Sequence, residues 1–265
     1  MSARISIHTL RQMKSKGERF ACLTAYDAMQ ASVISTAGVE CMLVGDSLGM
    51  VIQGHESTLP VSIADMTYHT ACVARGNRGS LLIADMPFLS YADATEAVRN
   101  AKSLMQAGAH MVKLEGGAWL ASIVQILRQN GVPACLHLGL TPQSVNVFGG
   151  YRVQGRGDAA GQRLLEDIQE LEAAGAELFV LECVPQQLAA RVTQATSVPV
   201  IGIGAGPATD GQVLVFYDML GLNVDKPPRF IKNFLSDGRS IADACQAFAH
   251  DVRHGLFPAP EHCFD

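Results

Sequence analysis

Short apolar segments recur along the chain and alternate with amphipathic segments. The apolar segments cover residues 21–26, 41–46, 80–85, 111–115, 134–138, 178–182 and 198–204, with a weaker one at 213–217. Nearly continuous apolar runs are typical of strands buried on both faces of a parallel sheet. The last segment also suits a helix, and the eighth strand would then lie nearer 218–220.

The segments between these strands predict helices. Residues 93–108 contain strong helix formers and end at Gly108, a residue favoured just after a helix C-terminus. Residues 164–174 precede Gly175 in the same way. About eight strand–helix units in about 250 residues predict a (β/α)8 TIM barrel. A doubly wound open sheet is the alternative, but residues 24–27 lack the glycines of a dinucleotide-binding turn.

Three segments outside the barrel also have helical patterns. Residues 5–16 predict an extra N-terminal helix across the barrel bottom. Residues 229–235 and 241–254 predict C-terminal helices that pack outside the barrel or against another subunit. No linker divides the chain, so we expect residues 1–265 to form a single barrel domain.

Composition excludes several classes of protein. The 265 residues are 48% hydrophobic and 17% charged, which is a globular composition. A net charge of -5 and a pI near 5.9 argue against a nucleic-acid partner. No basic cluster, signal-peptide core or membrane-spanning apolar run is present. Seven scattered cysteines without a CxxC pair fit a reducing compartment, so we expect a cytoplasmic protein.

Polar side chains stand at or near the ends of five predicted strands. In a TIM barrel the C-terminal strand ends meet at one face, so residues tens of positions apart share a pocket there. An unpaired buried charge is costly, so these groups are expected to be paired or functional. They are Asp46, Asp85, Lys113, Glu115, His137 and Glu182.

Each of these residues also has a structural interpretation. Asp46 and Asp85 are each suited to cap the following helix, but together they favour a shared Mg²⁺, which prefers oxygen ligands. Lys113 and Glu115 share one face of a strand and are placed to form a buried ion pair. A lone histidine on a buried strand, such as His137, is more often a hydrogen-bonded core residue than a metal ligand. Glu182, at the end of the sixth strand, also suits a structural acceptor.

Two long loops and a glycine-rich turn leave the same face. Loops 46–60 and 138–157 are both longer than about 12 residues. Loops of that length in a compact domain are typical of lids and binding loops. Residues 202–206 (GIGAG) follow the seventh strand, where many barrels bind phosphate on backbone N–H groups. Glycines there also allow close packing.

Several of these motifs resemble the ketopantoate hydroxymethyltransferases, also called 3-methyl-2-oxobutanoate hydroxymethyltransferases. The resemblance runs from about residue 7 to the C-terminus, although residues 223–228 carry little of the family pattern. The matching motifs are 44–50 (VGDSLGM), 113–117 (KLEGG), 137–144 (HLGLTPQS), 149–157 (GGYRVQGRG), 181–185 (LECVP) and 201–206 (IGIGAG).

The resemblance implies an activity, a cofactor and an assembly. A (β/α)8 barrel with Mg²⁺ would transfer a one-carbon unit from 5,10-methylenetetrahydrofolate to 3-methyl-2-oxobutanoate, giving 2-dehydropantoate. This is the first committed step towards pantothenate and coenzyme A. The family assembles as a decamer of two pentameric rings, so a homo-oligomer is expected, with no nucleic-acid or membrane partner.

The resemblance also implies a role for each site residue. Asp46 and Asp85 become ligands of the metal and lie beside the substrate. Glu115 lies at the metal and binds it directly or through water. The residues that would hold the folate donor are not identified, although the turn at 202–206 and the long loops are candidates.

The remaining implied roles concern the oxo acid. Ser47 and Lys113 contact its carboxylate, His137 lines its pocket, and Glu182 is the catalytic base. A 2-oxo acid chelated by Mg²⁺ forms an enolate when its C3 proton is removed, because the cation stabilises negative charge on the keto oxygen. Lys113 adds positive charge beside the same oxygens.

Two other functions remain as alternatives. One is a Mg²⁺-dependent lyase or mutase of the isocitrate lyase and phosphoenolpyruvate mutase type, but its Lys-Lys-Cys-Gly-His segment is absent. The other is a non-catalytic barrel that senses an oxo acid or phosphate. No added regulatory domain supports a sensor, and Mg²⁺-dependent turnover would separate it from an enzyme.

Overall fold

A computed structural model describes residues 4–222 and 227–265 of the chain. Within these residues eight parallel strands close into one barrel in chain order. The barrel closes where Phe20 in the first strand pairs with Gly211 in the last. The predicted TIM barrel is confirmed. The strands are β1 Phe20–Thr24, β2 Cys41–Val44, β3 Leu81–Asp85, β4 Met111–Glu115, β5 Ala134–Gly139, β6 Leu178–Glu182, β7 Val200–Ile203 and β8 Gly211–Leu214.

Helices surround the barrel and follow most of its strands. Both long loops predicted at the active face contain a short helix, α3 and α7, so they are partly ordered by their own backbone hydrogen bonds. The helices are α1 Ile7–Lys16, α2 Ala28–Thr36, α3 Leu48–Val51, α4 Ile63–Gly76, α5 Ala94–Gln106, α6 Ala121–Gln129, α7 Val145–Phe148, α8 Asp158–Ala174, α9 Gln186–Ala195, α10 Phe216–Met219 and α11 Ile241–Arg253.

Two apolar cores explain why the strands are hydrophobic on both faces. Phe20 and Cys22 of β1 belong to the core inside the barrel. Ala21 and Leu23 alternate with them and belong to the core between barrel and helices. Leu10 of α1 is fully buried in the inner core. The N-terminal helix therefore covers the barrel bottom, as its pattern predicted.

The helix ends follow local capping chemistry. The Asp93 side chain accepts a hydrogen bond from the backbone N–H of Glu96, so α5 begins at residue 94. Gly108 after α5 has a φ of 112°, which supports the predicted end of that segment. The helix predicted at 164–174 begins earlier, at Asp158, whose charge suits a helix N-terminus.

The prediction for the eighth strand was wrong in part. The strand ends at Leu214, and a helix already begins at Phe216, so 218–220 is not a strand. The strand begins at Gly211, where a Cβ would lie 2.6 Å from the Phe20 ring. Glycine and glutamine at its start hide the strand from an apolar pattern. The Phe216 N–H donates to the Thr24 hydroxyl, which ends the strand pairing.

The predicted helix at 229–235 is also wrong, because this segment forms turns. The Phe234 N–H donates to the carbonyl of Met219 rather than to a residue of its own segment. The Asn233 side chain accepts from the Leu235 N–H at 2.8 Å, a local contact that competes with a helix. Residues 223–226, within the weakly matching stretch 223–228, lie outside the described residues.

The other C-terminal helix is confirmed, and it packs on the outside of the barrel. α11 contacts β1 and α2. Its Arg253 guanidinium pairs with the carboxylate of Glu40, which also accepts from the Ala21 N–H at 2.9 Å. Phe248 of α11 packs edge-on against Phe234, with ring centroids 5.6 Å apart. No helix in the described residues is both long and apolar enough to cross a bilayer.

Candidate active site

All the sequence-predicted site residues line one cavity of about 530 Å³ at the C-terminal mouth of the barrel. The strand register sets their spacing, since Asp85 pairs with Lys113 on the next strand. Glu115 pairs in the same way with His137. The structure therefore brings the predicted set together, which was the central expectation from their positions at strand ends. The set is Asp46, Ser47, Asp85, Lys113, Glu115, His137 and Glu182.

Lys113 is the buried cation at the centre of the cluster. Its Nζ lies 2.8 Å from Oδ1 of Asp85 and 3.4 Å from Oε1 of Glu115. Burial would lower the pKa of Lys113, but Asp85, Glu115 and Asp46 outweigh this and raise the pKa well above its usual value. Lys113 therefore keeps its charge. The ion pair considered from sequence is present, and it lies inside the cavity.

His137 bridges two carboxylates. Its Nδ1 lies 3.2 Å from Oε1 of Glu115, and its Nε2 lies 3.3 Å from Oε2 of Glu182. Burial would lower the pKa of His137, but the Glu115 carboxylate outweighs it and raises the pKa to about 9. Lys113 and His137 in turn outweigh burial at Glu115 and hold its pKa at about 2. The ring is consequently an imidazolium at neutral pH.

In Asp46, burial and neighbouring negative charges outweigh the groups that would stabilise its ionised form. Burial, followed by the charges of Asp85 and Glu115, raises the pKa of Asp46 well above its usual value. The backbone N–H of Asp46 donates to Oδ2 of Asp85 at 3.0 Å, which fixes the start of the β2 loop against β3. Lys113 and the Gln143 hydrogen bond offset this only in part, so a further positive charge beside Asp46 would favour its ionised form.

Gln143 connects the acidic groups, and sequence reasoning did not single it out. Its side-chain N–H₂ donates to Oδ2 of Asp46 at 2.8 Å and to the carbonyl of Met86 at 3.0 Å. Its backbone N–H donates to Oε2 of Glu115 at 3.0 Å. The Tyr91 hydroxyl donates to Oε1 of Gln143 at 2.6 Å. Its position inside the 137–144 motif was the signal that could have found it.

A tyrosine and an unusual backbone conformation complete the surroundings of the site. The hydroxyls of Tyr26 and Ser47 lie 2.9 Å apart, which orients the Ser47 side chain at the cavity. Cys183 follows Glu182 with a φ of 47°, a left-handed conformation that is uncommon outside glycine. The Cys183 N–H donates to the Ile203 carbonyl at 2.9 Å, which anchors the turn that carries Glu182.

The glycine-rich turn at 202–206 is packed by neighbouring side chains. A Cβ on Gly204 would lie 2.9 Å from the Phe230 ring and 3.1 Å from the Phe264 ring. A Cβ on Gly206 would lie 2.5 Å from Cβ of Gln186. Close packing therefore accounts for these two glycines.

The chain was compared with models of known protein families. A family model described as ketopantoate hydroxymethyltransferase matches residues 4–260. The chain belongs to the ketopantoate hydroxymethyltransferase family. Membership makes it an enzyme, a transferase of hydroxymethyl groups.

The curated relatives are similar over nearly their whole length. The 3-methyl-2-oxobutanoate hydroxymethyltransferase of Marinobacter nauticus is 59% identical over 260 residues, which is 98% of both chains. The enzyme of that name from Stutzerimonas stutzeri is 55% identical over 261 residues, again 98% of both chains. The family resemblance seen in the motifs is thus confirmed across the chain.

Solved structures with a similar fold come from another group of enzymes. Oxaloacetate acetylhydrolase in complex with 3,3-difluorooxalacetate superposes with a TM-score of 0.61 at 15% identity, over 98% of this chain and 100% of that chain. Phosphonopyruvate hydrolase superposes with a TM-score of 0.62 at 13% identity, over 82% and 83% of the two chains. At such identities the likeness shows the fold alone.

The acidic residues of this family member fit a hard divalent cation. Asp46, Asp85 and Glu115 are only 3–5% exposed, and with Glu182 they place four carboxyl groups around two cationic side chains, Lys113 and His137. Within residues 4–222 and 227–265, no three His, Cys, Asp or Glu side chains form a ready metal cage. Mg²⁺ commonly takes one or two carboxylates and completes its shell with water and substrate oxygens, so the donor set suits it.

Proposed function

We propose that this enzyme transfers a hydroxymethyl group from 5,10-methylenetetrahydrofolate to 3-methyl-2-oxobutanoate and releases 2-dehydropantoate, a step towards pantothenate and coenzyme A. The observation that carries the proposal is the contact of His137 with both Glu115 and Glu182. This contact joins an acidic cation site to a separate carboxylate inside one cavity. The name shared by the curated relatives supports the same substrate.

Asp46, Asp85 and Glu115 are proposed to hold Mg²⁺, with Glu115 acting directly or through water. When bound, Mg²⁺ supplies Lewis-acid stabilisation of negative charge on the keto oxygen of the oxo acid. Gln143 donates to the carboxylates of both Asp46 and Glu115. These hydrogen bonds would fix the orientation of both side chains if they held a cation.

Lys113 and Ser47 are proposed to bind the carboxylate of the oxo acid. Lys113 remains charged because three carboxylates raise its pKa, so this buried side chain can pair with an anion. Ser47 is oriented by Tyr26 and presents a hydroxyl at the cavity. Asp46 and Asp85 would contact the same substrate from the side of the cation.

Glu182 is proposed to take the proton from C3 of the oxo acid. Its side chain is 15% exposed and lies at the cavity, whereas Glu115 is occupied by Lys113 and His137. The electron pair left on C3 is delocalised onto the keto oxygen and then attacks the methylene carbon of the donor. Overall, the methylene carbon loses both of its bonds to donor nitrogens and gains one bond to C3 and one to a water oxygen. The two nitrogens of the departing tetrahydrofolate take up the proton removed from C3 and one proton from water.

The first test follows exchange of the C3 proton for deuterium. Proton NMR of 3-methyl-2-oxobutanoate in D₂O, with Mg²⁺ or with EDTA, measures proton removal without the donor. We expect Mg²⁺-dependent exchange, and 2-dehydropantoate once 5,10-methylenetetrahydrofolate is added. Exchange without that product would remove the folate donor from the proposal. Carbon–carbon cleavage would instead indicate a lyase of the isocitrate lyase type.

The expected assembly and location remain predictions. A decamer built from two pentameric rings would elute far above the 28.2 kDa of one chain, and light scattering would measure its mass. Cytoplasmic location, and the lack of nucleic-acid and membrane partners, likewise rest on sequence.

A further inference from the structure

The cavity is divided into a charged floor and an aromatic mouth. The proposed oxo acid engages the floor, where Lys113 and the carboxylates lie. A cavity of about 530 Å³ falls in the range that usually takes drug-sized ligands, so a small oxo acid leaves much of it open. Tyr151, Phe230 and Phe264 also line the cavity and lie in segments outside the strands, so we call their side the mouth.

Two of these rings form a built wall. Phe230 and Phe264 meet edge to face, with centroids 6.5 Å apart and an interplanar angle of 69°. Both rings rest on Gly204, where any side chain would push them away. The glycine at this position therefore allows an aromatic wall to stand beside the turn after β7.

The C-terminal segment is tied down so that Phe264 keeps its place. The Gln186 N–H donates to the carbonyl of Phe264 at 2.9 Å, and the Gln186 side chain donates to Oδ1 of Asp265 at 2.9 Å. Arg229 Nε donates to the carbonyl of Glu261 at 2.8 Å, which joins the segment to the neighbour of Phe230. A surface held in place before binding loses little entropy when a ligand arrives.

Charge sets the direction in which a ligand would lie. The floor carries an excess of carboxylates, so the anionic end of a second substrate is repelled from it. Arg152 lines the mouth and is exposed, and it makes no ion pair within residues 4–222 and 227–265. An acidic tail would therefore point outward past Arg152 while an uncharged ring lies inside.

We infer that Tyr151, Phe230 and Phe264 form the subsite for the flat pterin ring of the one-carbon donor, with Arg152 facing its carboxylate tail. This inference rests on the proposed function. A heteroaromatic ring stacks on aromatic side chains, and its methylene carbon would then reach down towards C3 of the oxo acid on the floor.

The test separates donor binding from proton removal. Phe264→Ala and Phe230→Ala are compared with Phe264→Tyr, which keeps the ring, and with Tyr68→Ala, an exposed aromatic on α4 outside the cavity. Three quantities are measured: the KM for 5,10-methylenetetrahydrofolate, the affinity for tetrahydrofolate by calorimetry, and the rate of C3 exchange without donor.

We expect each Phe→Ala change to raise the donor KM and weaken tetrahydrofolate binding on the order of tenfold, the range typical of losing one stacked ring. The exchange rate should change far less, because exchange needs no donor. Phe264→Tyr should restore most of the affinity, and Tyr68→Ala should behave as wild type. Phe264 belongs to neither apolar core, so its truncation should leave the barrel packing intact.

Two results would overturn the subsite. One is an unchanged donor KM in both Phe→Ala variants of an active enzyme. The other is a parallel loss of exchange and donor affinity, which would indicate damage to the floor. Wild-type turnover is measured first, because a wild-type enzyme that makes no 2-dehydropantoate would overturn the proposed function and the subsite with it.

Discussion

Nε2 of His137 lies 3.3 Å from Oε2 of Glu182. The two residues are 45 positions apart in the chain, and they meet because they lie on neighbouring strands. The other ring nitrogen of His137 faces Glu115. One buried side chain thus contacts both the proposed base and a proposed metal ligand. We therefore expect proton removal and cation binding to be coupled through His137.

Replacing Glu182 with Gln tests the base. Glu182→Gln keeps the shape and a polar contact to His137, but an amide does not accept the C3 proton. We expect C3 exchange to fall by about 10²–10⁴-fold, the usual contribution of a general base. Oxo-acid affinity, measured by calorimetry with Mg²⁺, should stay within a few-fold of wild type. Glu170→Gln, an exposed change on α8, is the matched control. Normal exchange in Glu182→Gln would rule out this base.

The raised pKa of Asp46 predicts that this side chain lowers the stability of the metal-free protein while it contributes to metal binding. Burial and like charges disfavour the ionised carboxylate in the folded protein, so its charge destabilises the metal-free fold near neutral pH. Asp46→Asn should therefore stabilise the metal-free protein and raise its Tm in EDTA above that of wild type. The same variant should lose the rise in Tm on adding Mg²⁺ and oxo acid.

Thermal unfolding in EDTA and in Mg²⁺ measures both effects of Asp46→Asn. Asp93→Asn is a suitable control, because Asn replaces Asp well at the N-cap of α5. A metal-free Asp46→Asn protein that melts below wild type, or that still responds to Mg²⁺, would contradict the assignment.

Gln143 is predicted to position the metal-site carboxylates. Gln143→Met keeps the volume but removes the donor to Asp46. Loss of such an outer hydrogen bond typically weakens metal binding by about 10–100-fold. Tyr91→Phe removes only the hydroxyl that donates to Gln143, so its effect should be smaller. Calorimetric titration of Mg²⁺ in the presence of oxo acid ranks the two variants, and equal affinities in both and in wild type would refute the role.

His110, which lies outside the active-site cavity, is predicted to make the folded protein less stable at acidic pH. Its Nδ1 accepts from the Leu82 N–H at 2.9 Å, so the fold requires the neutral ring. Burial, followed by the nearby Arg4, lowers the pKa of His110 to about 4. The folded pKa lies below the unfolded value near 6.5, so this stabilisation is complete above about pH 6.5 and is lost as the pH falls towards 4.

Urea unfolding at a series of pH values measures this loss. Because the His110 ring is only partly buried, we expect on the order of 1 kcal/mol, less than the full shift implies. His110→Asn keeps an acceptor for the Leu82 N–H but does not titrate, so its stability should depend less steeply on pH between 6.5 and 4. A slope as steep as that of wild type would show that other groups cause the loss.

Apolar patterning predicted seven of the eight strands closely and the helix across the barrel bottom. The eighth strand escaped because it starts at Gly211, which is a glycine so that the Phe20 ring can lie beside it. The segment around Phe234 looked helical because its apolar spacing suits a helix, yet its backbone bonds to Met219. In both places a contact with a distant residue outweighed the local pattern.

The sequence alone identifies the charged residues at the strand ends as candidate site residues. A parallel strand is buried on both faces, so a charged residue at its end stands out from the apolar pattern. Which of these charges meet depends on strand register, which pairs Glu115 with His137. Gln143 reaches the site carboxylates from a loop, and Phe264 reaches the cavity from the C-terminal segment. No periodic pattern marks either residue. Their places depend on chain folding in three dimensions, because hydrogen bonds and ring contacts join residues that are far apart in the chain.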